Sequence, residues 1–169
     1  MTASSSFRNL ANAAALALAL AGCTQAPVLD KPPAALDVAP DSPTVADGRY
    51  RDGTVVWGGR IAEVRNRADA TEILITAYPL DGSQRPLAKK EALGHFVAVL
   101  PGYVESHDYP HGRFISVTGT LGNSVVERTE NGEHTVPLVL ASTWHLWPPG
   151  YPNSDPQMHF SIGVSGAIH

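Results

Sequence analysis

Cysteine is almost absent from this chain, because Cys23 is the only one among 169 residues. A single thiol cannot form an internal disulfide, and it excludes metal centres built from several thiolates. A domain formed by this chain must therefore be stabilised by its apolar core. The length is sufficient for one core of ordinary size.

Long hydrophobic runs and an excess of positive charge are absent as well. The longest apolar stretch covers residues 10–21, with Asn12 inside it, and has about half the length of a membrane-spanning helix. Twelve Lys and Arg residues face sixteen Asp and Glu residues, which gives a formal net charge of −4. Such an acidic chain carries no electrostatic signature for polyanions, so no nucleic acid is expected as a partner.

The first 22 residues have the pattern of a signal peptide. Arg8 supplies the positive charge, and the apolar stretch that follows ends in Leu20-Ala21-Gly22-Cys23. A lone Cys behind two small residues is the site at which a bacterial lipoprotein is acylated and cleaved. We therefore predict a signal peptide over residues 1–22 and lipidation at Cys23. The alternative is an ordinary secretory signal with an incidental Cys.

The residue after the acylation site predicts the destination. Thr24 stands where an Asp would favour retention in the inner membrane, so we expect sorting to the outer membrane, with the domain facing the periplasm. The expected partners are outer-membrane lipid, bound through the acylated N-terminus, and the lipoprotein sorting machinery. Two or three acyl chains make such anchoring effectively permanent. Without Arg8, eleven basic residues remain against sixteen acidic ones, a formal charge of −5.

Proline content divides the mature chain into three parts. Residues 23–47 contain five prolines and no sustained apolar period, which predicts an extended, acylated tether. Residues 148–169 form an irregular tail rich in proline and glycine, with a weak strand pattern over residues 159–168. The folded domain is expected between them, at residues 48–147.

Apolar residues in that central region alternate with period two. Five segments show the pattern: residues 54–64, 71–78, 96–100, 113–121 and 135–144. Gly58 and Gly59 interrupt the first segment and predict a bulge or sharp bend. The longest helical pattern, over residues 87–93, is short. The sequence therefore predicts an all-β fold, a small five- or six-stranded barrel resembling the oligonucleotide/oligosaccharide-binding (OB) fold.

Four strings in this region resemble the Slp family of starvation-inducible outer-membrane lipoproteins. They are Trp57-Gly58-Gly59-Arg60-Ile61, Leu74-Ile75-Thr76-Ala77-Tyr78-Pro79-Leu80-Asp81, Phe114-Ile115-Ser116-Val117-Thr118-Gly119-Thr120-Leu121 and Trp144-His145-Leu146-Trp147. The resemblance covers about residues 48–147. It implies an outer-membrane lipoprotein linked to stress or stationary phase, and it supplies no catalytic residues.

Histidine supplies the alternative of a metal site. His107 and His111 are four residues apart, but Pro110 lies between them, so a shared helical face is not expected. A loop site formed by His107, Asp108 and His111 would suit Zn²⁺. Solvated loop histidines are the simpler interpretation, and no cofactor is predicted.

Catalytic motifs are not found in this sequence. Ser116 and Thr118 alternate with apolar residues of a strand, which is typical of hydroxyls on a sheet surface. Gly58 and Gly59 precede no helix, so they do not form a phosphate-binding loop. We therefore expect no enzyme.

Aromatic and basic residues leave a binding function open. Trp57, Tyr103, Trp144 and Trp147 could line a ligand groove. Core positions are the alternative for Trp57 and Trp144, whereas Trp147, beside two prolines, is expected to be exposed. Eight of the eleven mature basic residues fall within residues 49–90 and could face anionic lipid or lipopolysaccharide phosphates. Charge on solvated strand ends and loops is the simpler interpretation. Two functions remain: a structural or interaction lipoprotein of the envelope, and a small-ligand or metal-binding module.

Overall fold

The computed structural model of this chain describes residues 26–129 and 132–152. The signal peptide, Cys23, Asn131 and the weak strand pattern at residues 159–168 lie outside the described residues. The described part contains one short helix and seven strands: α1 (Pro43–Ala46), β1 (Thr54–Asn66), β2 (Ala70–Ala77), β3 (His95–Pro101), β4 (Phe114–Leu121), β5 (Val125–Thr129), β6 (Gly132–Val136) and β7 (Leu138–Leu146).

Five of these strands close into a barrel in the order β1-β2-β3-β7-β4. All neighbours are antiparallel except β3 and β7, which are parallel. The last strand is thus inserted between β3 and β4, and this Greek-key closure agrees with the arrangement of the OB-fold. The prediction of an all-β fold with a small barrel is confirmed.

Strand β1 changes its pairing partner at its double glycine. It pairs with β4 over its first half and with β2 over its second half, and the two pairings overlap at Gly59 and Arg60. A Cβ atom on Gly59 would lie 1.9 Å from the carbonyl oxygen of Thr76. Only glycine fits this close approach of two backbones. The register of the β1–β2 ladder shifts just beyond it, between Ile61 and Glu63.

The barrel interior is filled by the alternating apolar residues. Ile115 and Val117 of β4 point inward and are fully buried, together with Ile61, Ile73, Ile75, Phe96 and Leu100 from other strands of the barrel. Trp57 contacts Phe96 edge-on at a centroid distance of 5.3 Å. The core of the domain therefore lies inside the barrel, as period-two alternation requires.

The predicted strand at residues 135–144 is two strands in the structure. Proline at position 137 has no N–H to donate to a ladder, and it separates β6 from β7. Strands β5 and β6 form an antiparallel hairpin between β4 and β7. Its Val125 and Val136 pack on Leu74 and Val97, on the outer face of the barrel.

The described part of the predicted tether packs against the barrel. Leu36 forms a parallel bridge with Val55, and Val45 of α1 is buried in the core. At the opposite end of the barrel, Val104 and Tyr109 pack against the same core. Residues 26–40 thus form an N-terminal strap along the barrel, and the described part of the chain contains no helix long and apolar enough to cross a membrane.

Candidate ligand-binding cleft

A buried glutamine holds the N-terminal strap on the barrel. Gln84 Oε1 accepts a hydrogen bond from the backbone N–H of Leu29 at 2.7 Å, and Gln84 Nε2 donates to the carbonyl oxygen of Leu29 at 2.9 Å. The amide therefore pairs with both polar backbone groups of one residue, as a neighbouring strand would. Leu29 and Gln84 are both buried.

The backbone of Gln84 is in the left-handed region, with a φ of 65°. A non-glycine residue adopts this conformation at a conformational cost, and residues held there often have a specific role. The turn that places Gln84 is built on Asp81, whose Oδ1 accepts hydrogen bonds from the backbone N–H groups of Ser83 and Arg85. This turn thus positions the glutamine that holds the strap.

A cleft of about 490 Å³ lies between the strap and this turn. The strap contributes one wall, β1 contributes the floor with Val56, Trp57 and Gly58, and residues 77–84 with Leu93 form the opposite wall. The volume falls in the range of small-molecule sites. Trp57 donates a hydrogen bond from Nε1 to the carbonyl oxygen of Val38 at 2.7 Å, so the indole N–H is satisfied by the strap.

Charged side chains stand around the apolar lining of the cleft. Lys31 comes from the strap, as does Asp37, and Asp81 comes from the opposite wall. The cleft can therefore enclose the apolar part of a ligand and present both positive and negative charge to its polar part.

Ser116 differs from the sequence-based expectation. It does lie on the outer face of β4, but it is fully buried, because the turn around Gln84 and the side chain of Trp147 cover it. Ser116 Oγ donates to the carbonyl oxygen of Gln84 at 2.6 Å and accepts from Trp147 Nε1 at 2.9 Å. Its proton is held by a backbone carbonyl, not by a base, so this hydroxyl has a structural role.

Trp147 is buried, and the expectation that it is exposed is wrong. It is 5% exposed, with the Arg85 guanidinium 5.5 Å from its ring centroid and the ring of Tyr151 at 5.6 Å. Arg113 donates from Nε to the carbonyl oxygen of Trp147. The prolines that follow do not expose the ring, because these contacts hold it on the outer face of β4.

The four aromatic residues predicted as a ligand groove are not brought together. Trp57 lines the cleft, whereas Trp144 lies near the other end of the barrel, where its Nε1 donates to the Tyr109 hydroxyl at 2.9 Å. Trp147 lies on the outer face, and Tyr103 is 66% exposed. Only Trp57 of this set belongs to the cleft.

The histidine alternative gains no geometric support. His107 Nε2 lies 2.9 Å from Asp108 Oδ1, and both side chains are mostly exposed. Within the part of the chain that the structure describes, no three His, Cys, Asp or Glu side chains are grouped so that they could hold a metal ion. His107, Asp108 and His111 therefore do not form a three-residue site in this structure.

A charge network ties the hairpin to the barrel. Arg65 Nη2 contacts the buried Glu127 of β5 at 2.5 Å, and Arg65 Nε lies 3.2 Å from Glu63 Oε1. Arg67 contacts Glu72 at 2.7 Å. Two of the clustered basic residues are thus paired with glutamates, which supports the interpretation of that cluster as ordinary surface charge.

Apart from the two paired arginines, Arg65 and Arg67, whose pKa values are raised by their hydrogen bonds to glutamates, three titratable groups in the described residues have shifted pKa values. Burial lowers the pKa of His95, and the charge of the nearby His134 lowers it further. Burial also lowers the pKa of His145. The pKa of Tyr151 is raised by burial and by the charge of Asp81, while Arg85 opposes the shift. None of these three groups lines the cleft.

Comparison with known proteins identifies the family. The family model described as "Outer membrane lipoprotein Slp family" matches residues 20–164. An uncharacterized protein of Haemophilus influenzae (strain ATCC 51907 / DSM 11121 / KW20 / Rd) is 28% identical over 95 residues, which are 56% of this chain and 51% of the relative. The chain thus spans about half the length of this curated relative, and no solved structure matches it. Because the family model covers most of the sequence, including the segment around Cys23, the chain belongs to the outer membrane lipoprotein Slp family.

Proposed function

We propose that this protein is a non-enzymatic, lipid-anchored module of the outer membrane that has a structural or interaction role in the periplasmic part of the envelope. The observation that carries the proposal is the fixed N-terminal strap. Leu29 is clamped to Gln84 and lies six residues after Cys23. Six residues span about 20 Å at most. Acylation at Cys23 would therefore keep the barrel next to the bilayer.

The hydrogen bonds of Ser116 support the non-enzymatic part of the proposal. A catalytic serine needs a base that accepts its proton, and the Ser116 proton is directed at the carbonyl oxygen of Gln84. We extend the proposal to stress or stationary-phase physiology on the basis of the family resemblance.

Substitution of Cys23 tests the anchor. Because this thiol is the only acylation site, Cys23→Ser should abolish metabolic labelling with a palmitate analogue and leave precursor or weakly bound protein. Thr24→Asp is the matched control, which should stay acylated but move to the inner-membrane fraction. Full maturation and outer-membrane retention of Cys23→Ser would contradict the proposal.

Orientation and partners need a second measurement. We expect external protease to spare the domain in intact cells and to cleave it once the outer membrane is permeabilised. Cross-linking in intact cells, followed by mass spectrometry, should then capture an envelope protein. Cleavage in intact cells would contradict the periplasmic orientation.

A small-ligand binding module is the second candidate function. The cleft between the strap and the turn around Gln84 favours it, because this cleft combines an apolar lining with charged residues around it. A ligand function would operate in addition to the anchor, not in place of it.

A further inference from the structure

We propose that the cleft binds the acyl chain of a single-chain zwitterionic amphiphile, a lysophospholipid, taken from the leaflet that holds the anchor. This inference rests on the second proposed function and names its ligand class. Three observations carry it: the lining of the cleft, the charges around it, and its distance from the acylation site.

The lining fits one acyl chain. Val38, Pro40, Trp57, Leu80 and Leu93 contribute apolar surface to the cleft, and the Trp57 N–H is already bonded to the strap. Methylene groups that leave water for such a surface gain about 0.8 kcal/mol each. A volume of about 490 Å³ lies in the lower half of the range for small-molecule sites, which favours one chain over two.

The charges around the cleft fit a zwitterion. Lys31 can attract a phosphate, and Asp37 and Asp81 can attract an ammonium group. A purely anionic head would meet two carboxylates for each lysine, and a purely cationic head would meet the lysine. Complementary charge placement of this kind determines specificity more than it determines affinity.

The cleft lies close to where the acyl chains of the protein should be. Pro27 and Lys31 line it, four and eight residues after Cys23. Four residues reach about 14 Å at most, so an anchored barrel presents this cleft near the lipid surface. A ligand from the adjacent leaflet would be available at high local concentration.

Fluorescence quenching tests the proposal, because Trp57 lines the cleft and the other two tryptophans do not. The acylated, mature protein is reconstituted in phosphatidylcholine vesicles and titrated with lysophosphatidylethanolamine that carries bromine on its acyl chain. We expect saturable quenching. Vesicles with the same bromine content on two-chain phosphatidylcholine should quench far less. Equal quenching by both lipids would show only contact with the bilayer and would overturn the proposal.

Two matched pairs of variants locate the ligand. Ala39→Phe fills the cleft and should abolish saturable quenching, whereas Ala46→Phe, on the exposed side of α1, should leave it unchanged. Lys31→Glu keeps the apolar lining and should weaken binding about tenfold, the effect of about 1.4 kcal/mol of lost attraction. Lys89→Glu, at an exposed position outside the cleft, should have no effect. Unchanged quenching in both Ala39→Phe and Lys31→Glu would overturn the proposal.

Further ligands distinguish the head group and the source of the chain. A brominated fatty acid and a brominated alkyltrimethylammonium should bind more weakly than the zwitterion, and tighter binding of either would overturn the assignment. Quenching seen only in the unacylated Cys23→Ser chain would assign the cleft to the protein's own acyl chain and would also overturn it. Cell fractionation of the same variants tests the anchor independently of the ligand. The proposal of the anchor is contradicted only if the protein is lost from the outer-membrane fraction.

Discussion

At the scale of single residues, Gly59 has the least room in the barrel. We predict that Gly59→Ala destabilises the domain by about 3 kcal/mol or more, because its Cβ would meet the Thr76 carbonyl carbon as well as the oxygen, and neither backbone atom can move away cheaply. Urea denaturation followed by tryptophan fluorescence measures the change in unfolding free energy.

Gly82→Ala is the matched control for this substitution. Nothing lies within 4 Å of a Cβ at Gly82, so the same change should alter the unfolding free energy by less than about 0.5 kcal/mol. Similar losses of unfolding free energy at both glycines would show that the close approach at Gly59 does not determine the cost of a Cβ atom there.

Alternation predicts the direction of each side chain on β4 correctly, but not its burial. Ile115 and Val117 point inward and Ser116 points outward, as the period requires. The outer face is buried because Gln84 and Trp147, each about 30 residues away along the chain, lie over it. Burial of this kind depends on long-range contacts, which no local pattern contains. We therefore expect Ser116→Asp to destabilise the domain in urea denaturation, although the position of Ser116 on the strand alone would permit an aspartate.

At the scale of elements, one ion pair stabilises the β5–β6 hairpin in addition to its apolar contacts with the barrel. The Glu127 side chain is 8% exposed and its partner Arg65 is 26% exposed. We predict that Glu127→Gln lowers the unfolding free energy by about 1–2 kcal/mol, between the values for surface pairs and fully buried pairs. In this variant, deuterium exchange measured by mass spectrometry should increase more at the backbone amides of the hairpin than at those of β2.

Glu63→Gln provides the comparison, since Glu63 contacts the same arginine with a side chain that is 53% exposed. That exposure should limit its effect to less than about 0.5 kcal/mol. If both variants behave alike, burial of Glu127 does not stabilise the hairpin.

His95 of β3, which lies close to His134 of the hairpin, predicts a dependence on pH. The folded pKa of His95 lies below its ordinary value, so the folded state resists protonation that the unfolded state accepts. The contribution of His95 to the unfolding free energy should be fully present above about pH 6.5 and should be lost as the pH falls through the folded pKa. Denaturation at pH 7.5 and 5.5 measures the loss, which His95→Gln should reduce. An exposed-site control, His111→Gln, should keep the full dependence.

Strands are predicted from the sequence where they are long and alternate regularly. β1 to β4 lie close to the predicted segments, although the register shift of β1 lies between Ile61 and Glu63, just beyond the double glycine. The hairpin is missed because β5 and β6 have five residues each and most of β6 is polar and exposed. Strands β5 and β6 are stabilised by pairing with each other, and their apolar contacts are with the outer face of the barrel.

At the scale of the whole molecule, the largest difference from expectation concerns residues 26–47. Their prolines predict an extended segment, whereas the described residues 26–47 combine irregular backbone with bends, turns and the short helix α1. Composition does not show that an extended segment can pack on a barrel through a few contacts. Here those contacts are the Gln84 clamp, the Trp57–Val38 hydrogen bond and the Leu36–Val55 bridge. Nothing in the local sequence marks Gln84, which sequence reasoning missed.

The clamp determines how far the barrel can move from the membrane. Gln84→Met keeps the size of the side chain but leaves the buried N–H and carbonyl of Leu29 unpaired, which costs about 1–3 kcal/mol for each group. We expect the strap to detach near Leu29 while the barrel, held by its own core, stays folded. The link from Cys23 would then extend to Leu36 or beyond, about 45 Å at most instead of about 20 Å. Energy transfer from a barrel label to a lipid dye in vesicles measures the increase in distance. An unchanged distance, with the Leu29 amide still protected from exchange, would show that the hydrogen bonds of Gln84 do not hold the strap.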